Sequence, residues 1–166
     1  NAQYIMAMGD EDLARALMPF LAREGLAEED DEQALERMLS AAPLIRERMK
    51  VLSDAVPLVA FLFREVEAEE EAKELLRGEE NQAILRETGK RLLELDRFDS
   101  ASIEEALRAT AEGMGIKPRK AFQPIRVAVS GSRVSPPLFE SMHILGREKC
   151  MQRIARALEA GGEQDR

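Results

Sequence analysis

The chain has 166 residues, 45% of them hydrophobic, 34% charged and only 4% aromatic, with one Cys, one His and no Trp. That length suits one or two compact domains that fold without staples. A lone Cys150 forbids an internal disulfide, so a reducing compartment is expected, and no apolar run approaches the ~20 residues of a membrane-spanning helix.

The start, Asn1 to Met8, has neither a basic leader nor a long apolar run, so no secretory signal is expected and the location expected is cytoplasmic. The net charge of −8 argues against a nonspecific nucleic-acid binder. The charge is unevenly spread, however. Residues 1–116 carry 14 basic and 27 acidic side chains, and residues 117–166 carry 10 basic and 5 acidic. The segment 117–133 holds five basic residues and no acidic one. A basic third is therefore attached to an acidic body.

Ala, Leu, Glu and Arg dominate, all strong helix formers. In chain order, Asp10 is placed to cap a helix carrying Leu13, Ala16, Leu17, Phe20 and Leu21, with a kink or break at Pro19 and a stop at Gly25. A second helix opens in the acidic run Glu28 to Glu32 and presents Leu35, Met38 and Leu39. Pro43 is placed to open a third, with Leu44, Ile45, Met49 and Leu52. Ala55 to Phe63 reads as a buried helix begun by Pro57. A solvated acidic turn, Glu65 to Glu71, leads into a short helix ended by Gly78. A long helix follows over about 80–96.

Ser102 and Glu105 have capping-box spacing ahead of Ile103, Ala106, Leu107 and Met114, with Gly113 and Gly115 closing that helix. Four of the seven prolines fall in 117–137, which predicts short helical pieces joined by fixed loops; Ile125 to Val129 is the single candidate strand. Two helices finish the chain, Pro137 to Leu145 and Arg147 to Leu158. A frayed tail over Gly161 to Arg166 is expected. The pattern predicts an all-α fold in two helical subdomains, 1–64 and 65–166.

Little in this pattern carries catalysis. The carboxylates sit on helix faces and termini, with no pair marked as an acid/base couple. His143 has no neighbouring ligand or nucleophile, and Cys150 repeats with Ile154 and Leu158 as a packed residue. Gly131-Ser132 lacks the further glycines and Lys of a phosphate loop. One segment is different: Lys117 to Gly131, followed by Ser135-Pro136-Pro137-Leu138-Phe139-Glu140. Prolines fix its backbone, its basic side chains suit phosphates, and rigid loops with Arg groups suit unstacked RNA bases. From charge alone, Lys117, Arg119 and Lys120 are assigned to phosphate contacts.

The same residues carry a resemblance. Lys-x-x-Gln-Pro-Ile-Arg-x-Ala-x-Ser-Gly, then Ser-Pro-Pro-Leu-Phe-Glu, then Leu145-Gly146-Arg147-Glu148 and Arg153-Ile154 resemble the C-terminal end of bacterial glutamyl-tRNA synthetase. Asn1-Ala2-Gln3-Tyr4-Ile5, Pro19-Phe20-Leu21 and Phe61-Leu62-Phe63 resemble other markers of that family, so the likeness spans about the whole chain. It implies an all-helical cage that reads the anticodon loop of tRNA-Glu for the catalytic domains of a parent chain. By motif position it implies anticodon contacts at Arg48, Arg126, Ser135, Pro136 and Leu138. Met6 stands where the family often has Arg, and Pro137 where some members have Gly. The family's catalytic signatures are absent from this chain. The resemblance therefore implies no catalytic residue and no cofactor here, with ATP and Mg2+ belonging to the parent, and a monomer as the working form. The competing expectation is an acidic helical protein-interaction module.

Overall fold

A computed structural model describes residues 1–162. Among them the regular structure is entirely helical, without a strand. The chain divides into two units, Asn1–Glu65 and a second beginning at Val66.

In the first unit, α1 spans Ala2–Ala7 and α2 Asp10–Arg23. Asp10 is the first residue of α2 and not its cap. Gly9 holds the cap position, and Asp10, Glu11 and Asp12 fill the first turn, where carboxylates complement the helix dipole. Pro19 does not break α2, because Leu13, Ala14, Leu17, Met18 and Leu21 are buried along it on both sides of the proline. Gly25 closes it with φ +70°. Its N–H donates to Ala22 O and that of Leu26 to Leu21 O, the paired bonds of a Schellman ending.

α3 runs over Glu32–Ile45, capped by Asp31, whose carboxylate accepts from the Gln33 and Ala34 amides. Pro43 therefore lies inside this helix and does not open another. Ala34, Met38, Ala41, Ala42 and Ile45 make one buried stripe that continues past the proline, and packing of that stripe outweighs the lost backbone bond. After α3 come a 3₁₀ turn, Arg46–Arg48, a second at Leu52–Asp54, the short α4 over Ala55–Val59 and a third 3₁₀ turn, Ala60–Leu62. Pro57 is the third residue of α4, not its start. The Asp54 carboxylate accepts from the Lys50 and Val51 amides, which hold its pKa below the ordinary value.

The second unit contains α5 (Glu70–Arg77), α6 (Glu79–Glu94), α7 (Ser100–Met114), α8 (Pro118–Ser130), α9 (Leu138–Leu145) and α10 (Arg147–Gly162). α10 packs against α5, α6, α8 and α9, and α7 against α6, α8 and α9. Ile84, Leu85, Leu92, Ile103, Leu107, Ile125 and Met142 fill the centre.

Four expectations are corrected here. α7 starts at Ser100, two residues before Ser102, because Asp99 caps it: its carboxylate accepts from the Ser102 amide at 2.8 Å. Gly113 sits within α7, and Gly115 alone, at φ +66°, ends it. The segment 118–130 is one helix through Pro124, neither a strand nor a set of short pieces. Ala121, Pro124, Ile125, Val127, Ala128 and Val129 are all buried. A helix buried on more than one face carries apolar residues on several sides, and Ile125, Val127 and Val129 at every second position imitate a strand. α10 also outruns its expected end at Leu158, taking in Gly161 and Gly162. Residues 163–166 of the expected frayed tail lie outside the described residues.

Candidate nucleic-acid interface

The second unit's basic segment is organised by α8. Pro118 occupies its first position and needs no N–H there. Lys117, Arg119 and Lys120 cluster at this end, all exposed, with no acidic residue in the first turn. Cations are normally favoured at the opposite end of a helix. Here they reinforce the positive pole instead of cancelling it, which concentrates positive potential.

Helical geometry separates these three. Arg119 and Arg126 are seven residues apart, two turns and about 10 Å along one face, with Phe122 between them on the same face. Lys120 lies on another face and pairs with Glu80 of α6 at 3.0 Å. Phe122 packs edge-on against Phe139, ring centroids 5.4 Å apart. Arg108 of α7 stacks over Phe122 at 5.6 Å while its Nε donates to Glu104. Arg119, Phe122 and Arg126, with Arg108 over the ring, thus form one cationic and aromatic stripe.

Arg126 joins that stripe to the loop after α8. Its Nη1 donates to Ser135 Oγ at 2.6 Å, to Pro136 O at 3.1 Å and, more weakly, to Ser135 O at 3.4 Å. Ser135 Oγ in turn lies 3.0 Å from Pro136 O. Gly131, at φ +80°, turns the chain out of α8, and the Ser130 and Ser132 hydroxyls bond within the turn. Ser135, Pro136 and Leu138 are buried. They shape the loop from beneath, and Arg133, Val134 and Pro137 are the exposed side chains, Val134 at 76%.

Arg48 belongs to the first unit. It is exposed on the Arg46–Arg48 turn, whose backbone is held on both sides. Met49 is buried at 2%, and Arg46 donates through Nη1 to Ile5 O and Met8 O and through Nη2 to Asp10. The structure thus brings Arg126, Ser135 and Pro136 into direct contact, with Leu138 opening the next helix.

The sequence reading missed Arg108, because a Glu104/Arg108 pair at i,i+4 looks like ordinary surface chemistry. It also missed two arginines that work as internal ties. Arg153, 4% exposed, donates to Val129 O at 2.6 Å. Arg147 donates to the carbonyls of Leu92, Leu93 and Leu95 and lies 5.5 Å from the Phe98 ring centre. His143 Nδ1 donates to Phe98 O at 2.9 Å, a structural bond. Cys150 is buried, its thiol pushed up to about 12 by burial, so it stays protonated at neutral pH. Among the described residues no three His, Cys, Asp or Glu side chains converge as a metal site. No helix among them is long and apolar enough to cross a membrane.

Residues 12–158 match a family model described as an anticodon binding domain. A glutamate–tRNA ligase of Saccharopolyspora erythraea is 40% identical over 158 residues, covering 93% of this chain and 31% of that protein. One from Kineococcus radiotolerans is 42% identical over 161 residues, covering 94% and 32%. The crystal structure of a glutamate tRNA ligase from Elizabethkingia meningosepticum, in complex with its amino acid, superposes with a TM-score of 0.81 at 27% identity, over 96% of this chain and 31% of that one. The chain thus spans about a third of the length of the relatives it matches.

Proposed function

Since the chain belongs to the anticodon-binding-domain family, we propose that it is the anticodon-reading part of a glutamate–tRNA ligase, which attaches glutamate to tRNA-Glu in an ATP-dependent reaction. The observation that supports this most is the clamp of Arg126 on Ser135 and Pro136. It makes a proline-stiffened loop into a fixed surface next to a row of cationic and aromatic side chains. Unstacked RNA bases are bound by such rigid surfaces, with Arg planes and aromatic faces for stacking and fixed donors for base edges. Preorganisation also reduces the ordering cost of binding.

In this reading the second helical subdomain holds the anticodon loop. Arg126 and Ser135 act as positioning residues, and Pro136 and Leu138 give the loop its shape. Arg48 donates to an anticodon base from its braced turn. Lys117 and Arg119 take phosphates, and Lys120 does so in competition with Glu80. The chain makes and breaks no bond; it places the tRNA so that its acceptor end reaches the catalytic domains of the parent chain, in the cytoplasm. ATP and Mg2+ take part in the parent's reaction. Those groups are assigned to the remainder of the parent. The family match favours this reading over an acidic protein-interaction module.

The test is binding of the chain to a tRNA-Glu transcript and to the same transcript with its anticodon bases changed, at two salt concentrations. Selective, salt-sensitive binding is expected. Equal affinity for both transcripts, in the chain and in the full-length parent alike, overturns the proposal.

A further inference from the structure

Between α5 and α10 the second unit has a half-open pocket of about 480 Å³, within the ~300–1,000 Å³ range of small-molecule sites. Its charge is opposite to that of the chain. Among the described residues, Lys73, Arg77, Arg153 and Arg156 line it with one carboxylate, Glu67, in a protein of net charge −8. Its floor is apolar: Leu76, Val127, Ala128 and Ala157.

The cavity is built into the fold. Arg153 is 4% exposed and held by its bond to the Val129 carbonyl, so its guanidinium is set in place before any ligand arrives. One wall is the segment Val66–Ala68, fastened where the Glu69 amide donates to Gly131 O at 3.3 Å. Gly131 is required at this closure. Its φ is +80°, and a Cβ there would stand 3.0 Å from Glu67 O. The segment therefore lies directly on the α8 terminus.

An apolar floor with several guanidinium groups suits an anion with an apolar body, and a flat ring bearing a phosphate is such a ligand. Arg forks match phosphate oxygens, and the ring covers the Val127, Ala128 and Ala157 surface. We propose that this cavity binds a free nucleoside monophosphate or an organophosphate of that size. Its residues are not those of the Arg119–Phe122–Arg126 stripe, so the two sites are separable by mutation.

The test is calorimetric titration of the 166-residue chain with AMP, adenosine and inorganic phosphate. AMP is expected to bind saturably, and adenosine at least tenfold more weakly, because it lacks the phosphate. Arg77→Glu and Arg156→Glu change exposed side chains that leave the core intact, and each is expected to weaken AMP binding at least tenfold. Ala128→Leu, which fills the floor, is expected to do the same with an unchanged circular-dichroism spectrum. Arg119→Ala is expected to leave AMP binding unaltered. The proposal fails if AMP shows no saturation, if both charge reversals bind AMP like the parent sequence, or if they weaken tRNA binding while AMP never binds. The last result would assign the cavity to an RNA phosphate.

Discussion

Arg126 and Ser135, nine residues apart in sequence, are joined by a 2.6 Å bond from Nη1 to Oγ, and the same Nη1 reaches the Pro136 carbonyl. The arginine that the family resemblance places at the anticodon is therefore the peg that holds the loop. Removing it has two consequences. Arg126→Ala should lower stability by about 1–3 kcal/mol, since buried acceptors lose a charged donor, and Ser135→Ala by about 0.5–1.5 kcal/mol. Arg126→Lys should recover only part, because an ammonium lacks the planar fork. Urea unfolding measures all three, and a wild-type midpoint for Arg126→Ala would show the clamp to be inconsequential.

Arg48 is expected to act on specificity. Arg48→Ala should reduce the ratio of affinities for cognate and anticodon-changed tRNA about tenfold or more, by analogy with the ~1–3 kcal/mol of a bidentate base contact in DNA. Retention of the wild-type ratio would remove Arg48 from the base-reading set.

Arg119 and Lys120 are expected to behave alike in kind but not in degree. Arg119→Ala should weaken cognate and changed tRNA equally and reduce the salt slope by about 1, the mark of one lost phosphate contact. Lys120→Ala should have the smaller effect, because its ammonium already pairs with Glu80 at 3.0 Å. An exposed pair of that type contributes at most about 1 kcal/mol to stability. Anisotropy titrations across several salt concentrations compare the two.

Arg147 has no expected part in RNA binding. It donates to Leu92 O and Leu93 O at the end of α6, where carbonyls run short of helical amides; Leu92 O also accepts from the Leu95 amide. Arg147→Ala should cost about 1.5–3 kcal/mol by thermal or urea unfolding. Its tRNA affinity, measured on the folded fraction, should be unchanged.

Cys150 supplies a pH dependence. Burial raises the folded thiol from 9.0 to about 12. Between those values the unfolded chain releases a proton that the folded chain keeps, so stability falls as pH rises above about 9 and is unaffected below it. Cys150→Ala should lose this part of the slope. Iodoacetamide should leave the native thiol unmodified at pH 8 and react after unfolding, which mass spectrometry detects directly.

Helix content was legible because the sequence is rich in strong helix formers with apolar stripes at helical spacing, and the Gly25, Gly78 and Gly146 endings were readable on the same grounds. The errors concentrate at prolines. Pro19, Pro43 and Pro124 each lie inside a helix, where tertiary burial of the flanking stripe overrides the local penalty. The cap of α7 was misplaced because Asp99 and Ser102 are both good caps, and only the 2.8 Å bond distinguishes them. At the site, the residue types and the basic run were visible in the sequence. Which side chains face outward was not, because that depends on the turn at Gly131 and on the Arg126 clamp. The roles of Arg147 and Arg153 were invisible for a related reason: an arginine bound to distant carbonyls reads, in one dimension, like any surface cation.

The two units close at different points along the chain. The first has its own core of Leu13, Leu17, Leu21, Met38, Ile45 and Phe61, all present by Glu65. The second has no equivalent early point, because its final helix, α10, packs on α5, α6, α8 and α9, and Arg147 ties the start of α10 to residues more than fifty positions earlier. On a translating ribosome the first unit would therefore reach its native form while the second was still being made. The second would remain an open set of helices, its apolar faces uncovered, until α10 had emerged. Its vulnerable interval during synthesis is the longer one, set by the position of a single carbonyl-binding arginine and the helix that follows it.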